Sequence, residues 1–189
     1  MAGRRTDTRE RIQRVALDLF VEQGYEKTSL REIAEKLEVT KAALYYHFRT
    51  KEDIVHSLIE DIGSSLDEIV AWAGEQDRSV RTRQEVLRRL SALIQGRFGP
   101  VMRFMQENQP ALKELHAGHV LAQRMKSLFT LLGPDDADPA DQLRARLALV
   151  ALMIGNNPQF LDENPAAGSS EVALQVALEL ASPRSGAGT

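Results

Sequence analysis

The stretch "TSLREIAEKLEVTKAALYYHF", Thr28 to Phe48, decides how the N-terminal part of this chain folds. Leu30, Ile33, Ala34 and Leu37 recur at helical spacing, and Ser29 precedes Glu32 as in a capping box, so a short amphipathic helix begins at Leu30. Thr40 can cap a second helix that carries Leu44 and Phe48 on one side. Between the two lie Glu38 and Val39, room for a tight corner, and two short helices so joined make a helix-turn-helix. On the helical wheel Leu44 and Phe48 face inward with Val39 at the corner. Ala42, Tyr45 and Tyr46 face out, and Thr40 and Lys41 occupy the projecting N-terminal end. A core helix has little use for so many hydroxyl and cationic tips. A helix entering a DNA major groove N-terminus first does use them: its donors reach base edges and phosphates, and Ala42 and Ala43 let the backbone come close. Tyr hydroxyls and His47 can donate to phosphate oxygens, and Lys51 adds a cation beside the start of the next helix. Singly, Tyr45 and Tyr46 read more readily as half-buried aromatics and His47 as plain surface; the set at this spacing points to DNA.

The helical pattern continues on both sides. Ile12, Val15, Ala16, Leu19 and Phe20 form the stripe of a first helix, with Asp7 and Glu10 spaced as a capping box at its start and Gly24 as its stop. Thr50 with Asp53 starts a fourth helix, expected to run through Leu58, Ile62, Leu66 and Ile69 to Gly74. A helix from Val80 to Gln95 follows, broken by Gly96, Gly99 and Pro100. The segment "PVMRFMQENQP" makes a short helix and Ala111 to Leu132 a long one, closed by the loop "GPDDADPAD". In Asp141 to Ile154, Leu143, Leu147, Val150 and Ile154 form one stripe while Leu149, Leu152 and Met153 cover another side, so one face can meet the core and the other a partner. In Ser170 to Ala181, Val172, Leu174, Val176, Leu178 and Leu180 alternate like a strand. The intervening Ala173, Gln175, Ala177, Glu179 and Ala181 are helix formers, and no second strand exists to pair with it, so it reads as helix. The expected fold class is all-α: a three-helix helix-turn-helix domain over 1–50, a larger helical domain over 51–182 and a disordered tail over 183–189.

At 189 residues, 43% hydrophobic and 27% charged, the chain can bury a sizeable core. It has no cysteine, no apolar leader segment and no apolar run of about 18 residues or more, which predicts a cytoplasmic protein without a membrane span. The formal net charge is −3, yet residues 1–56 hold 11 Lys and Arg against 10 Asp and Glu. That asymmetry permits a polyanion-binding N-terminus on an acidic body. No G-x-S-x-G, P-loop or G-x-G-x-x-G occurs. His116 and His119, near Glu114, are spaced to share a metal, but the carboxylate of H-E-x-x-H is missing, and the acidic loop lacks calcium-loop spacing. Neither catalysis, nor a metal, nor a cofactor is expected.

The run "TSLREIAEKLEVTKAALYYHFRTKEDI", with "RIQRVALDLFVEQGYEKT" before it, closely resembles the DNA-binding signature of the tetracycline-repressor (TetR) family of bacterial transcriptional regulators. The agreement covers roughly residues 8 to 55 and rests on the Gly24-Tyr25 helix end, Thr28, the Ile33-Ala34 pair, the block Leu44-Tyr45-Tyr46-His47-Phe48 and Lys51. The resemblance implies a homodimer whose recognition helices read a near-palindromic double-stranded DNA operator, usually as a repressor released by a small molecule. Carried over by position, Thr28, Tyr45, Tyr46, His47 and Lys51 look like phosphate contacts, and Thr40, Lys41 and Ala42 like the positions nearest base edges. In the family the last two long helices of each subunit form a four-helix dimer interface, a role that 141–154 and 170–181 fit. Beyond about residue 56 the resemblance fades, and the effector cannot be named. Candidate ligand-binding residues are Trp72, Phe98, Met102, Phe104, Met105, Met125 and Phe129, with His116 and His119 as polar anchors. All of these also read as core or surface, and as a pocket they favour an apolar or aromatic ligand. Arg4 and Arg5 precede the first helix as a basic arm that could follow a minor groove. A ligand-independent DNA-binding regulator and a helical enzyme are the competing classes; the former has no need of so large a second domain.

Overall fold

The structure is a computed structural model that describes residues 2–108, 117–133, 138–156 and 169–182, without the side chains of 2–6, 97, 117–120 and 169. The described residues form nine α-helices: α1 Ala2–Gln23, α2 Leu30–Lys36, α3 Lys41–His47, α4 Lys51–Gly74, α5 Val80–Leu93, α6 Gly99–Glu107, α7 Ala117–Leu132, α8 Pro139–Gly155 and α9 Ser169–Ala181. The fold class is all-α, and 170–181 is helix. The expected tail over 183–189 and the centre of the acidic loop lie outside the described residues.

The local start and stop signals do what their chemistry demands. Gly24 ends α1 at φ 94°, its N–H bonded to the Phe20 carbonyl at 3.1 Å, a backbone geometry that costs least without a Cβ. The Ser29–Glu32 capping box is closed both ways. Thr40 accepts from the Ala43 N–H at 3.2 Å, and Thr50 from the Asp53 N–H at 3.0 Å. The corner between α2 and α3 is a Schellman motif, with the Val39 N–H on the Ala34 carbonyl at 3.0 Å and the Glu38 N–H on that of Glu35 at 3.1 Å. The residue forced into the left-handed region there is Glu38, at φ 56°, where glycine is usual. Its Cβ stores strain, so Glu38→Gly is expected to stabilise the head by up to about 1 kcal/mol, read as a rise in unfolding midpoint. An unchanged or lowered midpoint would count against it.

Two expectations need correction. The first helix does not begin at Asp7: α1 starts at Ala2, so Arg4 and Arg5 belong to its first turns rather than to a free arm. Adding turns to an existing helix costs far less than nucleating one, so the extension carries even Gly3, whose helix cost against alanine is only about 1 kcal/mol. Nor do Gly96, Gly99 and Pro100 break the chain. Residues Ile94–Phe98 widen into a π-turn that carries α5 into α6, with the Gly99 N–H bonded to the Ile94 carbonyl. A Cβ at 99 would stand 2.7 Å from that oxygen, so glycine permits the wide turn instead of ending the helix.

The chain divides into two compact units, Met1–Ile62 with Pro100–Val120, and Gly63–Gly99 with Leu121–Thr189. In the first, Ile12, Phe20, Ile33, Leu44, Ile54 and Phe104 are among the fully buried side chains. Buried Gln13 of α1 ties that helix to α4, donating to Ser57 Oγ at 2.9 Å and Asp61 Oδ2 at 2.7 Å. In the second, α9 packs along α8, and buried Ala145, Ala148, Ala173 and Ala177 let the two helices come close. Leu149 and Leu152 of α8 are buried, whereas Leu143, Leu147 and Ile154 of the same helix and Val172 and Val176 of α9 are exposed.

Candidate nucleic-acid interface

Helix α3 is seven residues long, and Leu44 is its one buried residue. Leu44 is 0% exposed and the following Phe48 3%, so both anchor the helix from beneath. On the opposite side Tyr45 is 50% and Tyr46 66% exposed, and Thr40, Lys41, Ala42 and Ala43 are exposed as well. His47 is half-buried with its ring edge-on to Tyr46, centroids 5.4 Å apart. Thr40 spends a lone pair on the Ala43 N–H and keeps its own O–H proton for a partner outside. One face of a short helix therefore offers phenols, a hydroxyl, an ammonium and two methyl-sized side chains.

Two candidates from the sequence sit differently. Thr28 is 2% exposed; its hydroxyl donates to the Gly24 carbonyl at 2.9 Å and accepts from Gln23 Nε2 at 3.2 Å, so it holds the corner after α1. The Lys51 ammonium donates to the Tyr25 carbonyl at 2.7 Å and lies 4.4 Å from the centre of the Tyr25 ring. Tyr25, 4% exposed, is a residue that the sequence singled out only as part of a helix end. Its hydroxyl donates to Glu52 Oε1 at 2.8 Å. Burial, and then the Glu52 carboxylate, push the Tyr25 phenol above its ordinary value. Glu52 is held below the usual carboxylate range, first by a backbone N–H at the start of α4 and also by the Tyr25 hydroxyl. At neutral pH the phenol is thus the donor and the carboxylate the acceptor. A tyrosine directly after a helix-ending glycine was the one signal available for this site.

The ligand candidates are divided between the units. Phe104 is fully buried in the first, stacked on Phe20 at 5.3 Å and tilted to Tyr25 at 5.8 Å; Met102 and Met105 beside it on α6 are half-buried. In the second unit Phe98 is buried, Met125 and Phe129 are half-buried, and Trp72 lies under the Arg89 guanidinium at 3.8 Å. His119 falls in α7 with its side chain undescribed, and His116 lies outside the described residues. A cavity of about 410 Å³ is lined instead by Gln84 of α5 and Glu171, Leu174, Gln175, Leu178, Glu179 and Ser182. Among the described residues no cluster of His, Asp and Glu is placed to hold a metal ion, and no helix is long and apolar enough to cross a membrane.

Described residues that are helical throughout their regular elements, with a short, polar-faced third helix after a tight corner, are of the helix-turn-helix class. Residues 12–58 match the model of bacterial regulatory proteins, tetR family. Over 63 residues it is 43% identical to the HTH-type transcriptional regulator AcrR of Shigella flexneri, covering 33% of this chain and 29% of AcrR. Over 77 residues it is 34% identical to the HTH-type transcriptional regulator QacR of Staphylococcus aureus, covering 41% and 40%. These alignments span well under half of either relative. The fold likeness is longer: a transcriptional regulator from Aquifex aeolicus superposes with a TM-score of 0.67 at 20% identity over 89% of this chain and 96% of its own. For the TetR-family regulator PfmR from Thermus thermophilus the values are 0.57, 24%, 89% and 96%. All four are named as transcriptional regulators, none as an enzyme.

Proposed function

We propose that the chain is a cytoplasmic DNA-binding transcriptional regulator, a repressor that binds a palindromic operator as a homodimer and is released by a small molecule. The observation that carries the DNA reading is the division of α3: Leu44 wholly buried, Tyr45 and Tyr46 half or more exposed on the opposite side. Aromatic side chains are left in water at a cost unless something covers them, and these carry hydroxyls suited to phosphate. Thr40, Lys41 and Ala42 at the N-terminal end of the helix take the positions nearest base edges, with Tyr45, Tyr46 and His47 on phosphates. Among the described residues, the large apolar side chains left exposed elsewhere all lie on α8 and α9, which supports pairing of two copies through those helices. For the effector, the second unit offers Trp72, Phe98, Met125 and Phe129, side chains suited to an apolar or aromatic compound.

Selection from random duplex DNA tests the reading. The expected product is a palindrome whose half-sites lie about one helical turn apart or a multiple of it. Recovery of no preferred sequence would overturn the proposal. Lys41→Ala is expected to relax preference at one position in each half-site, at about 1–3 kcal/mol per lost base contact. An equal loss on every DNA sequence would move Lys41 from base reading to phosphate contact.

A further inference from the structure

We propose that Phe104 and Asn108, far along the chain from the helix-turn-helix, are positioning residues for α3, acting through Tyr25 and the first turn of α4. This rests on the reading of α3 as the DNA-contacting helix. Tyr25 is where side chains of α1, α4 and α6 meet. Phe20 of α1 packs edge-on against its ring at 5.1 Å, and Phe104 of α6 lies against it at 5.8 Å. Lys51 binds its carbonyl and caps its ring, while Glu52 takes its hydroxyl. Its backbone N–H donates to Asn108 Oδ1 at 3.4 Å. That amide is itself aimed, because Asn108 Nδ2 donates to the Phe104 carbonyl at 2.9 Å and the Asn108 backbone N–H binds the same oxygen at 3.1 Å.

Such an arrangement does more than fill a core. Phe104 alone would bury area, whereas Asn108 adds a directional bond to the backbone of the corner that follows α1. Lys51 and Glu52 answer from the other side, and they open α4, which follows α3 after the buried Phe48 and two further residues. So short a link passes a tilt of the α4 start into α3, and the projecting face of α3 must be held closely to meet base edges. In this arrangement the Lys51 ammonium orients the head, and its charge is spent on a carbonyl and a ring before any phosphate.

The test uses the full-length protein and the duplex that the wild type selects. Asn108→Ala and Tyr25→Phe should each lower affinity by about five- to tenfold, the equivalent of one hydrogen bond. Asn108→Asp keeps the acceptor and should restore most of it. The salt dependence should stay unchanged, because no phosphate contact is removed. Amide exchange at residues 41–47 should speed up in Asn108→Ala while that of α8 and α9 does not. Wild-type affinity in both variants, or a lowered unfolding midpoint with affinity intact, would overturn the proposal. If Asn108→Ala fails to fold, Tyr25→Phe and Asn108→Asp still decide it. Should the wild type select no DNA at all, the functional reading fails first, and the exchange of 41–47 then judges this inference alone: unchanged exchange overturns it.

Discussion

Glutamates in place of Leu147 and Val176 are expected to convert the protein to a monomer and to weaken operator binding by roughly a hundredfold to ten-thousandfold, the span over which linking two sites raises avidity. Leu147 is 43% and Val176 41% exposed, on adjacent helices α8 and α9 whose other sides are buried. If two copies pair there, each of these side chains gives up the two fifths of its surface still exposed, worth roughly 0.6–1.3 kcal/mol. A carboxylate in the same place loses that gain and must be desolvated without a partner. Two substitutions per copy act four times in a symmetric pair, which exceeds what a micromolar dimer can absorb. The monomer itself should keep its helical content, since neither side chain supports the core of its own chain. Sedimentation and circular dichroism together check this. A wild-type protein that sediments as a monomer at micromolar concentration, or a charged variant still paired and bound, would remove the interface.

Leu44→Ala is the substitution expected to act most strongly within one head. A leucine with no exposed surface costs about 2–5 kcal/mol on truncation to alanine, a large share of a domain's typical 5–15 kcal/mol. The consequence falls on α3 in particular, because a helix of seven residues does not persist without its anchor. DNA binding should be lost near room temperature while pairing through α8 and α9 persists. Tyr46→Ala provides the contrast: at 66% exposure it should leave stability within about 0.5 kcal/mol yet still weaken DNA binding. Calorimetry beside a binding titration separates the two effects. Full operator affinity in Leu44→Ala would mean that α3 is not the reading element.

The sequence by itself determined the helices and the polar face of α3, because the signals for both are local. A cap is a bond across three residues and an amphipathic stripe a repeat of three or four, so Ser29 with Glu32, Thr40, Thr50 and Gly24 were legible without knowledge of anything distant. The same locality explains the failures. Gly96, Gly99 and Pro100 read as breakers until the wide turn over Ile94–Phe98 is seen to use the glycine, and Arg4 and Arg5 read as an arm until α1 is seen to extend through them. Thr28 and Lys51 were legible as polar residues beside a helix proposed to read DNA. Only the tertiary structure decided that one turns into the corner after α1 and the other onto the carbonyl and ring of Tyr25. Phe104 and Asn108 meet Tyr25 although 83 positions of chain separate Asn108 from its partner. Periodicity marks which face of a helix turns inward and says nothing of what it meets, since apolar burial has no direction and any complementary face can satisfy it.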